Sequence, residues 1–181
     1  MIGFKEWALV CRALEDGTTS LIVRKGGIAE GRDGFRFKFE SFLLFPTLFH
    51  EQLAKTRLPA DTELPVFQSG QIEITARATV EWTQLITDRA VLKRLEPHHI
   101  LQPSVVEERF LYDETIGVNV AFLRVEKASR PFIFPDGPKY GGCRSWVELP
   151  EVPEDIIWTP VLSNSAHKKK RAELQSILSG S

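Results

Sequence analysis

Two short segments place flexible backbone beside a fixed cation. One is Leu21-Ile22-Val23-Arg24-Lys25-Gly26-Gly27 and the other is Tyr140-Gly141-Gly142-Cys143-Arg144-Ser145-Trp146. In the first, Arg24 and Lys25 end a strand-like run, and the paired glycines let backbone N–H groups come close to a phosphate or another anion. A solvated hairpin end explains the same residues. The second offers two aromatic rings, a guanidinium and two glycines, a set suited to stacking a base and hydrogen-bonding its edge or phosphate. Its structural alternative has Trp146 in the core, Gly141-Gly142 in a bulge or turn, and Arg144 paired with a carboxylate. The candidate nucleic-acid or anion-binding set is therefore Arg24, Lys25, Gly26, Gly27, Tyr140, Arg144 and Trp146. As a site, it requires both segments to share the rim of one accessible pocket with positive potential.

No residue is assigned a catalytic or metal-binding role, and no cofactor is expected. The chain lacks a Gly-x-x-x-x-Gly-Lys phosphate loop, a Gly-x-Gly-x-x-Gly fingerprint, His-Glu-x-x-His and a Gly-x-Ser-x-Gly elbow. Nucleotide hydrolysis, dinucleotide redox, zinc proteolysis and α/β-hydrolase chemistry all lose support. Restriction-type nucleases often set a lysine two residues after a metal-binding carboxylate. That spacing does not occur here, and Glu107-x-Arg109 is the nearest arrangement. A metal-dependent nucleic-acid hydrolase using some of His50, Glu51, His99 and Glu107 is one alternative, provided those side chains converge. Cys143 is expected to be buried and inert.

The 181 residues suffice for one domain able to bury about 70% of its unfolded surface without disulfides or metal. Lysine and arginine total 23 against 24 acidic residues, so no global field draws the chain to nucleic acid, and any anion binding must be local. Two distant cysteines argue against a disulfide framework or a thiolate zinc site and fit a reducing cytoplasm. The longest uncharged apolar stretch, 41–49, is too short for a membrane helix. A soluble, cytoplasmic protein with no membrane partner is expected.

The elements that would position these residues follow from periodicity. Trp7 to Leu14 and Ser20 to Arg24 flank a turn-forming cluster and read as a β-hairpin. Phe35, Phe37 and Phe39 alternate with charges as in a strand, and Ser41 to His50 reads as a buried strand end. Six of the twelve phenylalanines fall between Phe35 and Phe49, a density that favours core packing over an exposed stacking surface. Gln71 to Thr83 alternates throughout, whereas Gly117 to Lys127 is apolar on both faces like a central strand. Helices are predicted from Asp88 to Leu95 and from Ser104 to Tyr112, and Arg144 to Leu149 should be a strand. Residues 1–162 read as one α+β domain and 163–181 as a basic C-terminal tail helix. Lys168, Lys169, Lys170 and Arg171 sit early in that helix, near its positive end, which suggests fraying or an acidic partner.

Trp7-Ala8, Arg24-Lys25-Gly26-Gly27-Ile28, Phe42-Leu43-Leu44-Phe45-Pro46-Thr47, His99-Ile100 and Tyr140 to Leu149 together resemble the uncharacterised bacterial family called domain of unknown function 1802. The resemblance spans nearly the whole chain. It transfers no reaction and no site residues, but it implies an association with a separate restriction-type nuclease and hence with restriction-modification or genome defence. The resulting expectation is an α+β fold with a mainly antiparallel, curved sheet or partly closed β-barrel and two or three flanking helices. Its function would be non-catalytic nucleic-acid or nucleotide recognition. A protein-interaction subunit that docks through the tail helix is the other alternative.

Overall fold

The computed structural model describes residues 1–25, 37–112 and 115–180. The architecture is α+β. Strands β1 (Ile2–Trp7), β2 (Leu21–Arg24), β3 (Ser41–Thr47), β4 (Gln71–Ile86), β5 (Val118–Pro135), β6 (Trp146–Glu148) and β7 (Trp158–Pro160) form one sheet. Its order is β2-β5-β4-β3-β1-β6, with β7 also on β5. Pairing is antiparallel except between β1 and β3. Helices α1 (Ala8–Glu15), α2 (Arg89–Leu95), α3 (Pro103–Phe110) and α4 (Asn164–Ser179) complete the fold.

The sheet curls into a half-barrel. β4 and β5 pair over most of their length, with register irregularities between Ile74 and Ala76 and between Val80 and Trp82. Such bulges add twist and bend a long ribbon. The two ends of the sheet consequently come within side-chain reach: Arg24 closing β2 donates from Nη2 to the Ser145 hydroxyl, just before β6, at 3.0 Å. The main core includes Phe4, Leu9, Leu14, Ile22, Phe42, Phe110 and Phe122. A second cluster forms around Leu43, Phe45, Ile74, Phe134 and Tyr140, and along β3 its Leu43 and Phe45 alternate with Phe42 and Leu44 of the main core, on the opposite face of the strand.

The expected hairpin of residues 7–24 is not formed. Residues 8–15 are helix α1, and β2 pairs instead with β5. Alanine and leucine favour a helix here, and with Ala8, Leu9, Val10, Cys11, Ala13 and Leu14 all buried only Arg12 and Glu15 are left to mark its polar face. Tertiary contact caps the helix, for the buried Gln52 accepts a hydrogen bond from the Leu9 N–H at 3.1 Å. Phe37 and Phe39 belong to no strand, while Phe35 lies outside the described residues.

Other expectations match closely. Asp88 caps α2 by accepting from the Ala90 N–H at 2.7 Å, and Ser163 caps α4 by accepting from Ala166 at 3.2 Å. Helix α4, however, lies on the body of the fold. His167 and Leu174 are buried, Lys170 donates to the Gly17 carbonyl at 2.7 Å, and Arg171 pairs with Glu81 at 3.1 Å. Two of the four early cations thus meet partners from this chain, while Lys168 and Lys169 are exposed. Among the described residues no helix is long and apolar enough to cross a membrane.

Candidate functional site

Among the described residues the end strands β2 and β6 do not pair with each other, and side chains link them. On β1, Phe4 and Glu6 lie two residues apart and so share a face. Arg24 reaches both from β2: its guanidinium lies 5.3 Å from the centre of the Phe4 ring and 3.7 Å from Glu6 Oε1. The Glu6 carboxylate is only 1% exposed and accepts from the Trp7 N–H at 2.8 Å. A buried carboxylate between cations is tolerable because its charge is compensated in place.

Helix α3 covers the seam. Arg109 donates to the Val23 carbonyl of edge strand β2, and its guanidinium lies 4.7 Å from the Trp7 ring centre. Burial is the main cause that lowers its pKa to about 10; the nearby Glu6 charge works in the opposite direction and favours the cation. On the far side, Lys5 donates to the carbonyls of Tyr140 at 2.7 Å and Gly142 at 2.9 Å, which ties the glycine turn to β1. Burial, then the Arg144 charge, lowers the Lys5 pKa. The turn uses Gly142 at φ 77°, a left-handed conformation that glycine adopts at little cost.

These elements enclose an open cleft of about 260 Å³ lined by Arg24, Lys25, Glu108, Arg109, Tyr112, Cys143 and Ser145. Its size is near the lower end of small-ligand sites, roughly 300–1,000 Å³. The structure therefore brings the end of β2 together with the 143–145 turn. Lys25 stands on the rim, where Nζ donates to the Thr115 carbonyl and to that of Gly117 at 3.0 Å. Arg144, between the lining residues Cys143 and Ser145, is exposed. Gly26 and Gly27 lie outside the described residues.

Tyr140 and Trp146 are placed differently. Tyr140 is 4% exposed, with its ring against Phe45 and Phe134 at 5.8 and 5.4 Å. Half-buried Trp146 packs on Phe4, Phe39 and Phe42 at 4.7, 5.1 and 5.3 Å. Both rings anchor the ends of the turn in the two hydrophobic clusters. Cys143, expected to be buried, is exposed, because the turn runs over the surface between those anchors. Cys11 is the buried thiol, and desolvation raises its pKa well above the ordinary value.

Sequence reasoning missed Glu6, Arg109, Tyr112 and Ser145. Glu6 did carry a signal, a carboxylate two residues from Phe4 on one face of a strand. Arg109 and Tyr112 carried none beyond their helix. Of the residues considered for a hydrolase, His99 and Glu107 line one pocket, where Glu107 pairs with Arg89 at 2.7 Å, but His50 and Glu51 are exposed after β3 and do not line it. His99 is buried, and its Nδ1 accepts from the Leu101 N–H at 3.2 Å. Among the described residues no three histidine, cysteine or acidic side chains gather as a metal site.

The family model for domain of unknown function 1802 matches residues 3–173. The chain belongs to that family. Among solved structures, a mutant of ASCH from Zymomonas mobilis is similar at 12% identity and a TM-score of 0.46, over 96% of this chain and 94% of that one. The unmutated ASCH from the same organism gives 13% identity and a TM-score of 0.43, over 94% and 93%. No curated protein matches the chain.

Proposed function

We propose that this protein is a non-catalytic nucleic-acid recognition module that binds through the seam cleft. The reading is carried by the convergence of Arg24, Lys25 and Arg109 in one open cavity, with Arg144 on the adjoining turn. The chain as a whole is nearly neutral, at a formal charge of −1, so anion binding depends on local cations, and the cleft gathers three of them against one lining carboxylate, Glu108. Arg24 and Arg109 are held by Glu6, Ser145 and Val23 and form a preorganised floor. Exposed Arg144 and rim-standing Lys25 are the residues for phosphate. As the family resemblance implies, such a module would read nucleic acid for a separate restriction-type nuclease.

Fluorescence anisotropy with labelled oligonucleotides at low salt tests the reading. Each phosphate contact contributes about −0.7 to the slope of log K against log salt for a single strand and about −0.9 for a duplex. Arg144→Ala should weaken binding and make that slope shallower by about one such contact. An absence of binding to every nucleic-acid form, or binding and slope unchanged in Arg144→Ala, overturns the proposal.

A further inference from the structure

Beside the cationic cleft, described residues on either side of the α3–β5 connection expose apolar side chains. Leu111, Tyr112 and Ile116 are 51%, 53% and 55% exposed, and Leu85 on the neighbouring strand is 48% exposed. Their proximity follows from the backbone: the Gly117 N–H donates to the Phe110 carbonyl at 3.1 Å, and a Cβ at Gly117 would meet the Leu85 side chain at 3.2 Å. Lys25 fastens the same connection to the cleft rim through the Thr115 and Gly117 carbonyls. Tyr112 belongs to both features, since it lines the cleft and lies within the apolar surface.

Resting on the nucleic-acid reading above, we infer that the ligand is single-stranded: one unpaired base enters the cleft, and the next stacks on Tyr112 and its apolar neighbours. A duplex keeps its bases stacked and offers phosphates on a convex surface. It would reach Arg144 and Lys25 but leave both the recessed floor and the apolar side chains uncovered. An unpaired strand supplies what each part lacks, a flat edge for a small polar cavity and an aromatic face for Tyr112. Its backbone charge complements Arg24, Lys25 and Arg109, which outnumber the one lining carboxylate, Glu108.

Anisotropy titrations of a single-stranded oligonucleotide and its blunt duplex, each as RNA and as DNA, test this on the intact chain. The single strand should bind more tightly. Tyr112→Ala should weaken its binding about 5-fold to 150-fold, the range of one base–aromatic stack, whereas Tyr112→Phe keeps the affinity. Preference for either sugar supports the inference, and the tighter arm identifies the polymer. Equal binding of duplex and single strand, both weakened by Arg144→Ala, overturns this inference and leaves the nucleic-acid reading standing. If Tyr112→Ala changes neither affinity but alters self-association, the apolar side chains serve a protein surface and the inference fails. If no nucleic acid binds, both readings fall.

Discussion

Replacing Glu6 by glutamine tests whether the seam is held electrostatically. The carboxylate is 1% exposed and 3.7 Å from an Arg24 side chain that is itself 18% exposed. Opposite charges at about 4 Å attract by about 4 kcal/mol at an effective dielectric near 20. Desolvation of both groups offsets part of that attraction, but the offset is already incurred in the folded protein. Removing one charge therefore leaves the other buried without compensation, a loss of about 3–5 kcal/mol. Arg109 is also affected, because burial depresses its pKa while Glu6 opposes that depression. Glutamine keeps an acceptor for the Trp7 N–H, so the start of α1 should survive and the loss should report charge alone. Against a total stability of about 5–15 kcal/mol, such a change is easily measured by guanidinium unfolding. The midpoint should fall with the slope unchanged. A loss below about 1 kcal/mol would refute the idea that a compensated carboxylate holds the two sheet edges together.

Buried His99 has its pKa lowered to about 4 from 6.5, chiefly by desolvation and then by the Arg57 and Arg109 charges. The unfolded chain binds the proton more readily, so this contribution is complete above pH 6.5 and disappears as pH falls towards 4, at a cost of about 3 kcal/mol. In urea unfolding over that interval, His99→Gln should lose less stability than the parent; parallel pH profiles would exclude this origin. Leu174 is 2% exposed on α4, so Leu174→Ala should cost about 2–5 kcal/mol by urea unfolding. An unchanged midpoint would show that α4 behaves as a detached tail.

Elements whose two faces differ chemically were the legible ones. Alternation located β4, Asp88 located the start of α2, and the polar run Ser163, Asn164 and Ser165 located the start of α4 to within those three residues, of which Ser163 is the cap, because capping is a local event. Helix α1 was hidden because it is buried on nearly every side, so only Arg12 and Glu15 remain to mark a period. The length of β5 was also hidden: its first half is apolar on both faces, whereas its second half alternates as an exposed arm. At the candidate site, Arg24, Lys25 and Arg144 could be singled out from flanking glycines. Arg109 could not, since its partners Val23 and Trp7 are far away in sequence and reach it only when α3 lies across the seam. Tyr140 and Trp146 were visible as aromatics beside flexible backbone, but that local pattern does not distinguish a ring facing a ligand from one anchoring a turn.

Closing the curl with side chains instead of a backbone ladder accounts for both the position and the character of the cleft. A fully hydrogen-bonded barrel would satisfy its edge groups internally and leave no gap there. Here Arg109 takes the Val23 carbonyl, Arg24 reaches Ser145 and Glu6, and Lys5 takes two carbonyls of the glycine turn. Cations suit this task because each reaches several acceptors from one long stem. Their use to join the sheet edges concentrates positive charge along an opening in a nearly neutral protein. Structural closure and anion recognition therefore draw on the same side chains. Substitutions at the floor, such as Arg24→Ala, should change stability and binding together, whereas exposed Arg144 offers a way to change binding alone.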